Sequence, residues 1–245
     1  MNSFLLAFQF LTIIPIKIKN IEEKNIPESL VYFPFVGLIL GIILWSAANI
    51  LSILEFSPLA INIIVVILLI ILSGGIHLDG LADTADAFLS RKNKEEMLNI
   101  MRDSHIGVMG VLSLISILLL KIAFLSSISL PLKNISLLLM CVISRWSPVL
   151  SMFYSAYARE EGKAKVFIEG MNRKIFLFSL LIAILCVTAI WGLRGLYIFL
   201  IASALIFLVN KFIERQIGGI TGDTLGAVSE LTEVMVLIVV CILRK

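Results

Sequence analysis

The chain has little cysteine: three residues in 245, at Cys141, Cys186 and Cys241. Each lies inside an apolar run and no two form a C-x-x-C pair, so neither a disulfide framework nor a thiolate zinc site is expected. Linkers rich in Pro, Gly or Ser, low-complexity tracts and internal repeats are also missing. That excludes a string of soluble modules and points to one membrane-embedded domain over residues 1–245. The N-terminal run F-L-L-A-F-Q-F-L-T-I-I-P has no basic n-region and no small-residue cleavage site, so it does not read as an ordinary signal peptide. It is too short to span a bilayer, and an interfacial or re-entrant half-helix is expected there.

Charge is sparse too, at 15% of residues, while 60% are hydrophobic. Soluble domains hold roughly 45–50% apolar residues. Blocks near 30–54, 58–76, 106–128, 135–155, 175–192, 196–210 and 226–243 are long enough, or nearly so, to cross ~30 Å of hydrocarbon as helices. The fold class that follows is all-α: a polytopic integral membrane helical bundle of about seven transmembrane helices, with lipid bilayer as its surroundings and no nucleic-acid partner. Gly37 and Gly41 in P-F-V-G-L-I-L-G form a G-x-x-x-G face, read first as helix packing, with a homo-oligomer left open.

The basic residues are unevenly placed. Lys17, Lys19 and Lys24, then Arg91, Lys92, Lys94 and Arg102, then Arg159, Lys163, Lys165, Arg173 and Lys174, and finally Lys211 and Arg215 fall in four links on one side. The opposite links, near 55–57, 129–134 and 193–195, are short and carry only Lys133 and Arg194, with Arg244 and Lys245 after the last block. The positive-inside rule therefore puts the long links, and any chemistry, at the cytoplasmic face of the cell membrane.

S-G-G-I-H-L-D-G-L-A-D-T-A-D-A, residues 73–87, follows directly on the second apolar block. Asp79, Asp83 and Asp86 are spaced i, i+4, i+7, so on a continuous helix they share one face. Three like charges repel, and with little local Lys or Arg they suit a hard divalent cation such as Mg²⁺. The other reading is a solvated amphipathic face. His77 is either a functional group or a hydrogen-bonded structural residue.

Three further stretches complete the candidate site. M-R-D-S-H-I-G-V-M-G at 101–110 offers Arg102 as a phosphate clamp and Asp103 as an added ligand, or else a boundary ion pair. Y-A-R-E-E-G at 157–162 contributes Arg159 in a mixed-charge loop. G-G-I-T-G-D-T-L-G-A at 218–227, with Gly219, Thr221, Gly222, Asp223 and Thr224, reads either as a phosphate-binding helix start or as a turn capped by Asp223 or Thr224. Arg145, inside its apolar block, costs at least ~2.5 kcal/mol unless paired or hydrated. A substrate phosphate or Glu230 or Glu233 would satisfy it.

Taken together, G-G-I-H-L-D-G-L-A-D-T-A-D, M-R-D-S-H-I-G, Y-A-R-E-E-G and G-G-I-T-G-D-T-L-G-A, with the F-L-T-x-x-P element at Phe10 to Pro15 and the intramembrane Lys121 and Arg145, resemble the cobalamin synthase (adenosylcobinamide-GDP ribazoletransferase) family. Ala87 and His105 stand where that family commonly has Gly and Arg. The resemblance implies a membrane-embedded, Mg²⁺-dependent enzyme that joins adenosylcobinamide-GDP to α-ribazole or α-ribazole 5′-phosphate and releases GMP. Asp79, Asp83 and Asp86 would hold metal, Arg102 and the 218–224 loop would hold phosphate, and the base would be His77 or a carboxylate. D-G-L-A-D also resembles part of the CDP-alcohol phosphotransferase core, but that family's complete D-x-x-D-G-x-x-A-R pattern is missing. A transporter would instead place its acids near the bilayer midplane and show inverted repeats.

Overall fold

The computed structural model describes residues 2–19 and 21–243. The basic pair Arg244 and Lys245 lies outside the described residues. In chain order the helices are α1 (Asn2–Leu11), α2 (Asn25–Glu28), which runs through a 3₁₀ turn (Ser29–Tyr32) into α3 (Phe33–Ile53), then α4 (Pro58–Ser73), α5 (Ile76–Leu89), α6 (Lys94–Ile100), α7 (Val108–Ser126), α8 (Leu130–Tyr154), α9 (Lys165–Glu169), α10 (Arg173–Ile217) and α11 (Gly222–Leu243). Among the described residues five of these are long and apolar enough to cross a membrane, and α4 with α5 forms a sixth, bent candidate. The chain is a multi-pass membrane protein.

Two breaks explain how this matches an expectation of seven segments. The 45-residue α10 contains Trp191 and Gly192 in non-helical conformations, Gly192 at φ 56°. A straight helix would hold Val187 and Gly195 ~12 Å apart at 1.5 Å per residue. Instead the Val187 carbonyl occupies the space a Gly195 side chain would need, so the chain doubles back. Segments 173–190 and 193–217 are the arms of a helical hairpin, the second longer than expected because the helix runs on through Lys211 and Arg215.

The second break is at the acidic stretch. The 58–76 block ends as a helix at Ser73, because Gly74 and Gly75 both adopt left-handed conformations, φ 65° and 70°, that side chains resist. A fresh helix starts at Ile76, bent 91° from α4. The polar helix α5 thus leaves the direction of the spans, and its carboxylates keep their common face.

The core is built around α8, which buries almost its whole C-terminal half. Gly37 and Gly41 of α3 lie against the α8 backbone at Cys141 and Leu138, so the G-x-x-x-G face is used within the chain. Such close packing of small residues is what holds helices together where lipid removes the hydrophobic drive. The start of α11 crosses α5 equally tightly: a side chain at Gly80 would meet the Asp223 carbonyl at 2.6 Å, and one at Gly226 the His77 carbonyl at 3.1 Å.

Candidate active site

The α5–α11 crossing brings the acidic helix against the Gly-rich loop. The 155–164 loop is pinned to the same place by two backbone hydrogen bonds: Ile220 donates to Ala156 and Ala158 donates to Ile220, each at 2.9 Å. Arg159 then donates to an Asp223 carboxylate oxygen at 2.7 Å, across 64 residues of chain. These segments enclose a cleft of ≈ 240 Å³ lined by His77, Asp79, Tyr157, Arg159, Gly222 and Asp223 on its polar side. Phe10, Phe33, Pro148, Met152 and Phe167 line the rest.

Asp79 is exposed at the cleft and Asp83 lies half-buried one turn further along. Burial, reinforced by the charges of Asp79, Asp223 and Asp86 and partly relieved by Arg159, pushes the Asp83 carboxyl up to about 6. Asp79, Asp83 and Asp223 therefore form a concentration of negative charge with one guanidinium beside it.

Asp86 is engaged elsewhere. Its two oxygens accept hydrogen bonds from the backbone amides of Gly107 (2.7 Å) and Gly110 (2.8 Å), in the first turn of α7. It satisfies amides that a helix start leaves without partners. Among the described residues no three His, Cys, Asp or Glu side chains close into a complete metal cage.

Arg102 is exposed beyond the end of α6 and makes no ion pair with Asp103 among the described residues. Asp103 instead accepts from the His105 amide (3.1 Å) and pairs with its ring nitrogen (2.6 Å), which holds the carboxyl low and the imidazole high. His77 is buried, with Nδ1 unpartnered, and lines the cleft.

The 218–224 loop divides its labour. Thr221 caps α11: its hydroxyl accepts from the Thr224 amide (3.2 Å), and the Thr224 hydroxyl accepts from the Thr221 amide (2.8 Å). The Thr221 hydroxyl also donates to an Asp223 carboxylate oxygen at 3.4 Å, and Thr221, not Asp223 or Thr224, is the cap. Gly219 is packed beneath the Ala156 carbonyl. Gly222 and Asp223 form the first turn of α11, whose amides have no intrahelical partner, and both residues line the cleft.

Arg145 corrects an expectation: it does not reach the cleft to meet substrate. It is buried and paired with Glu233, with Ser144 accepting a second bond at 2.8 Å. Lys121 completes the group, with Nζ 2.5 Å from both Glu230 and Glu233. Two cations and two anions from α7, α8 and α11 thus neutralise one another inside the bundle, as burial of charge demands.

Tyr157, Lys163 and the aromatic wall were not singled out as site residues from sequence. Tyr157 lies in Y-A-R-E-E-G and Phe10 in F-L-T-x-x-P, so both sat inside noted motifs; Phe33 and Phe167 are ordinary apolar residues whose place only the fold decides.

The sequence profile of the cobalamin-5-phosphate synthase family matches residues 3–241. Proteins named adenosylcobinamide-GDP ribazoletransferase are similar along the whole length. That of Caldanaerobacter subterraneus subsp. tengcongensis is 39% identical over 99% of each chain. That of Desulfitobacterium hafniense is 37% identical, covering 97% of this chain and 96% of the relative. That of Escherichia coli K12 is 36% identical, covering 96% and 97%. No solved structure matches the chain.

Proposed function

The chain belongs to the cobalamin-5-phosphate synthase family, and from that premise we propose that it is an adenosylcobinamide-GDP ribazoletransferase. It transfers the cobinamide phosphate of adenosylcobinamide-GDP to a hydroxyl of α-ribazole or α-ribazole 5′-phosphate, and GMP departs. The product is adenosylcobalamin or its 5′-phosphate, a late step of cobalamin biosynthesis. The site faces the cytoplasm, a reading supported by the basic residues of the links that build it.

The observation that carries the residue assignment is the convergence of Asp79, Arg159 and Asp223 from three separate segments on one cleft, with Asp83 one helical turn from Asp79 and close enough to feel all three charges. In-line displacement at phosphorus asks a protein chiefly for positioning and charge neutralisation. Arg159, with Arg102 and Lys163 exposed on neighbouring segments, provides cations for phosphate oxygens. The free amides of Gly222 and Asp223 add donors at a helix N-terminus.

The residues fit Mg²⁺: they are hard oxygen donors, and the raised Asp83 carboxyl marks negative charge that lacks full compensation. Asp79 and Asp83 would hold the ion, with Asp223 facing them; a complete protein cage is unnecessary, because this ion commonly takes one or two carboxylates plus substrate phosphates. Bound there, it would supply neutralisation of charge on the bridging and leaving phosphate oxygens. Asp86 belongs to the positioning of α5 against α7. The proton of the attacking hydroxyl goes to a carboxylate of the cluster or to His77, whose unpartnered Nδ1 and place on the cleft also suit it to orient substrate by hydrogen bonding.

The test is GMP release from adenosylcobinamide-GDP and α-ribazole 5′-phosphate by the purified protein in liposomes, with Mg²⁺ and then with EDTA. Mg²⁺-dependent release with a joined corrinoid product is expected. A folded, correctly oriented protein that forms no such product would overturn the reading.

A further inference from the structure

The cleft has two unlike walls. Opposite the charged residues, Phe10, Phe33 and Phe167 form a continuous aromatic surface: Phe10 lies 4.8 Å from Phe167 and 5.9 Å from Phe33, nearly parallel to it at 19°, and Phe33 lies 6.4 Å from Phe167. Pro148 and Met152 of α8 extend it. Phe33 and Phe167 are buried, while Phe10 keeps 37% of its surface exposed, more than a ring at a closed core position retains.

Phe10 is held in place by its neighbours. The Ile13 amide donates to the Leu72 carbonyl at 2.9 Å, tying the end of α1 to the end of α4, and the Thr12 hydroxyl donates to the Phe8 carbonyl at 2.7 Å. The F-L-T-x-x-P element thus serves to hang one aromatic ring at the cleft.

Resting on the transferase reading, we propose that this aromatic wall is the subsite for the benzimidazole base of the ribazole substrate. Size decides against the corrinoid: ≈ 240 Å³ is below the usual 300–1,000 Å³ of ligand pockets and suits a flat nucleoside base, not a macrocycle. Polarity decides against guanine. Its edge carries several donors and acceptors, more than the Tyr157, Gly162 and Lys163 groups beside the aromatic rings are placed to match, at a desolvation cost of about 1–3 kcal/mol for each left unpaired, whereas a benzimidazole has a single ring-nitrogen acceptor. A dimethylated benzimidazole has an apolar rim and a π-face, which stacks on aromatic side chains. The hydroxyl-bearing ribose then points toward Asp79 and Arg159, where the phosphorus is to be attacked.

The experiment is calorimetric titration of α-ribazole alone into the protein in lipid nanodiscs, paired with KM values for both substrates. Phe10→Ala is expected to weaken α-ribazole binding roughly 5- to 100-fold, the range for loss of one base-stacking ring, and to raise its KM in step while the KM for adenosylcobinamide-GDP holds. Phe10→Trp, which keeps a stacking face, retains binding. Phe167→Leu, which preserves bulk, is expected to weaken it less than Phe10→Ala but measurably. Unchanged α-ribazole affinity in both Phe10→Ala and Phe167→Leu overturns the subsite, and so does a rise confined to the KM of adenosylcobinamide-GDP, which would put guanine on this wall. A wild-type protein that binds α-ribazole but yields no joined product overturns the transferase reading and leaves the subsite standing.

Discussion

Asp86 reaches across 21 residues of chain to accept a 2.7 Å hydrogen bond from the backbone amide of Gly107. Its other oxygen takes the Gly110 amide, so the carboxylate ties α5 to the start of α7. Asp86→Asn keeps one acceptor and loses the charge. The expected result is a lower apparent Tm, by the equivalent of ~1–2 kcal/mol, with the Mg²⁺ concentration for half-maximal activity unchanged. A large rise in that concentration would return Asp86 to the metal ligands.

Asp83→Asn removes one of the two carboxylates assigned to the ion. Turnover is expected to fall by roughly 100-fold or more, the scale seen when one group stabilising transition-state charge is lost. The variant should still insert and purify like the parent. Near-normal turnover at saturating Mg²⁺ would sink the assignment.

The raised Asp83 carboxyl also makes stability depend on pH. Its folded pKa of about 6 exceeds the ordinary 3.8, so between these values the folded chain holds a proton that the unfolded chain has released. Stability of the metal-free protein therefore falls as pH rises through this window and stays lower above it. In EDTA, Asp83→Asn should lose less Tm than the parent between pH 4 and pH 7, a range set by those two values. Mg²⁺ should lift the parent at pH 7 and leave the variant nearly unmoved. Identical pH profiles for the two proteins would refute this.

In the buried quartet, Glu233 touches both cations whereas Glu230 touches Lys121. Glu233→Gln leaves Arg145 buried without a carboxylate and is expected to cost about 3–5 kcal/mol, seen as loss of folded yield and Tm. Glu230→Gln should cost clearly less. Equal losses from the two variants would show that the charges are shared differently.

Arg102→Ala tests the exposed cation beyond α6. A higher KM for adenosylcobinamide-GDP with little change in Tm is expected, since among the described residues the exposed side chain makes no hydrogen bond or ion pair. Unchanged KM and kcat would mean that Arg159 and the α11 amides suffice for phosphate.

Much of this architecture was legible in the chain. The apolar blocks predicted the spans, and the i, i+4, i+7 spacing predicted the shared face of Asp79, Asp83 and Asp86, because both depend on local periodicity. Glu230 and Glu233 were readable as partners for Arg145 because a buried charge demands an opposite one. What stayed hidden depends on contacts distant in sequence. Nothing near Asp86 announces Gly107 and Gly110, and nothing near Arg159 announces Asp223. The aromatic wall was equally opaque, since Phe33 and Phe167 differ from any other apolar residue only by where three helices bring them. The reversal at Trp191 and Gly192 was legible as well, as the short link near 193–195 between two apolar blocks; only the exact break and the length of the second arm were not.

The quartet of Lys121, Arg145, Glu230 and Glu233 also sets an order of events during synthesis. Both cations lie in helices made before α11, and both neutralising carboxylates lie in α11 itself. Until that helix emerges, α7 and α8 each carry an unmatched positive charge in lipid, at ~2.5–3.5 kcal/mol apiece. The bundle can therefore close only when α11 arrives after α7 and α8, and α11 acts as the latch of assembly. Nascent chains halted before Gly222 should remain extractable and protease-sensitive in isolated membranes, and become resistant once α11 is supplied; early resistance would show that the first helices settle without it.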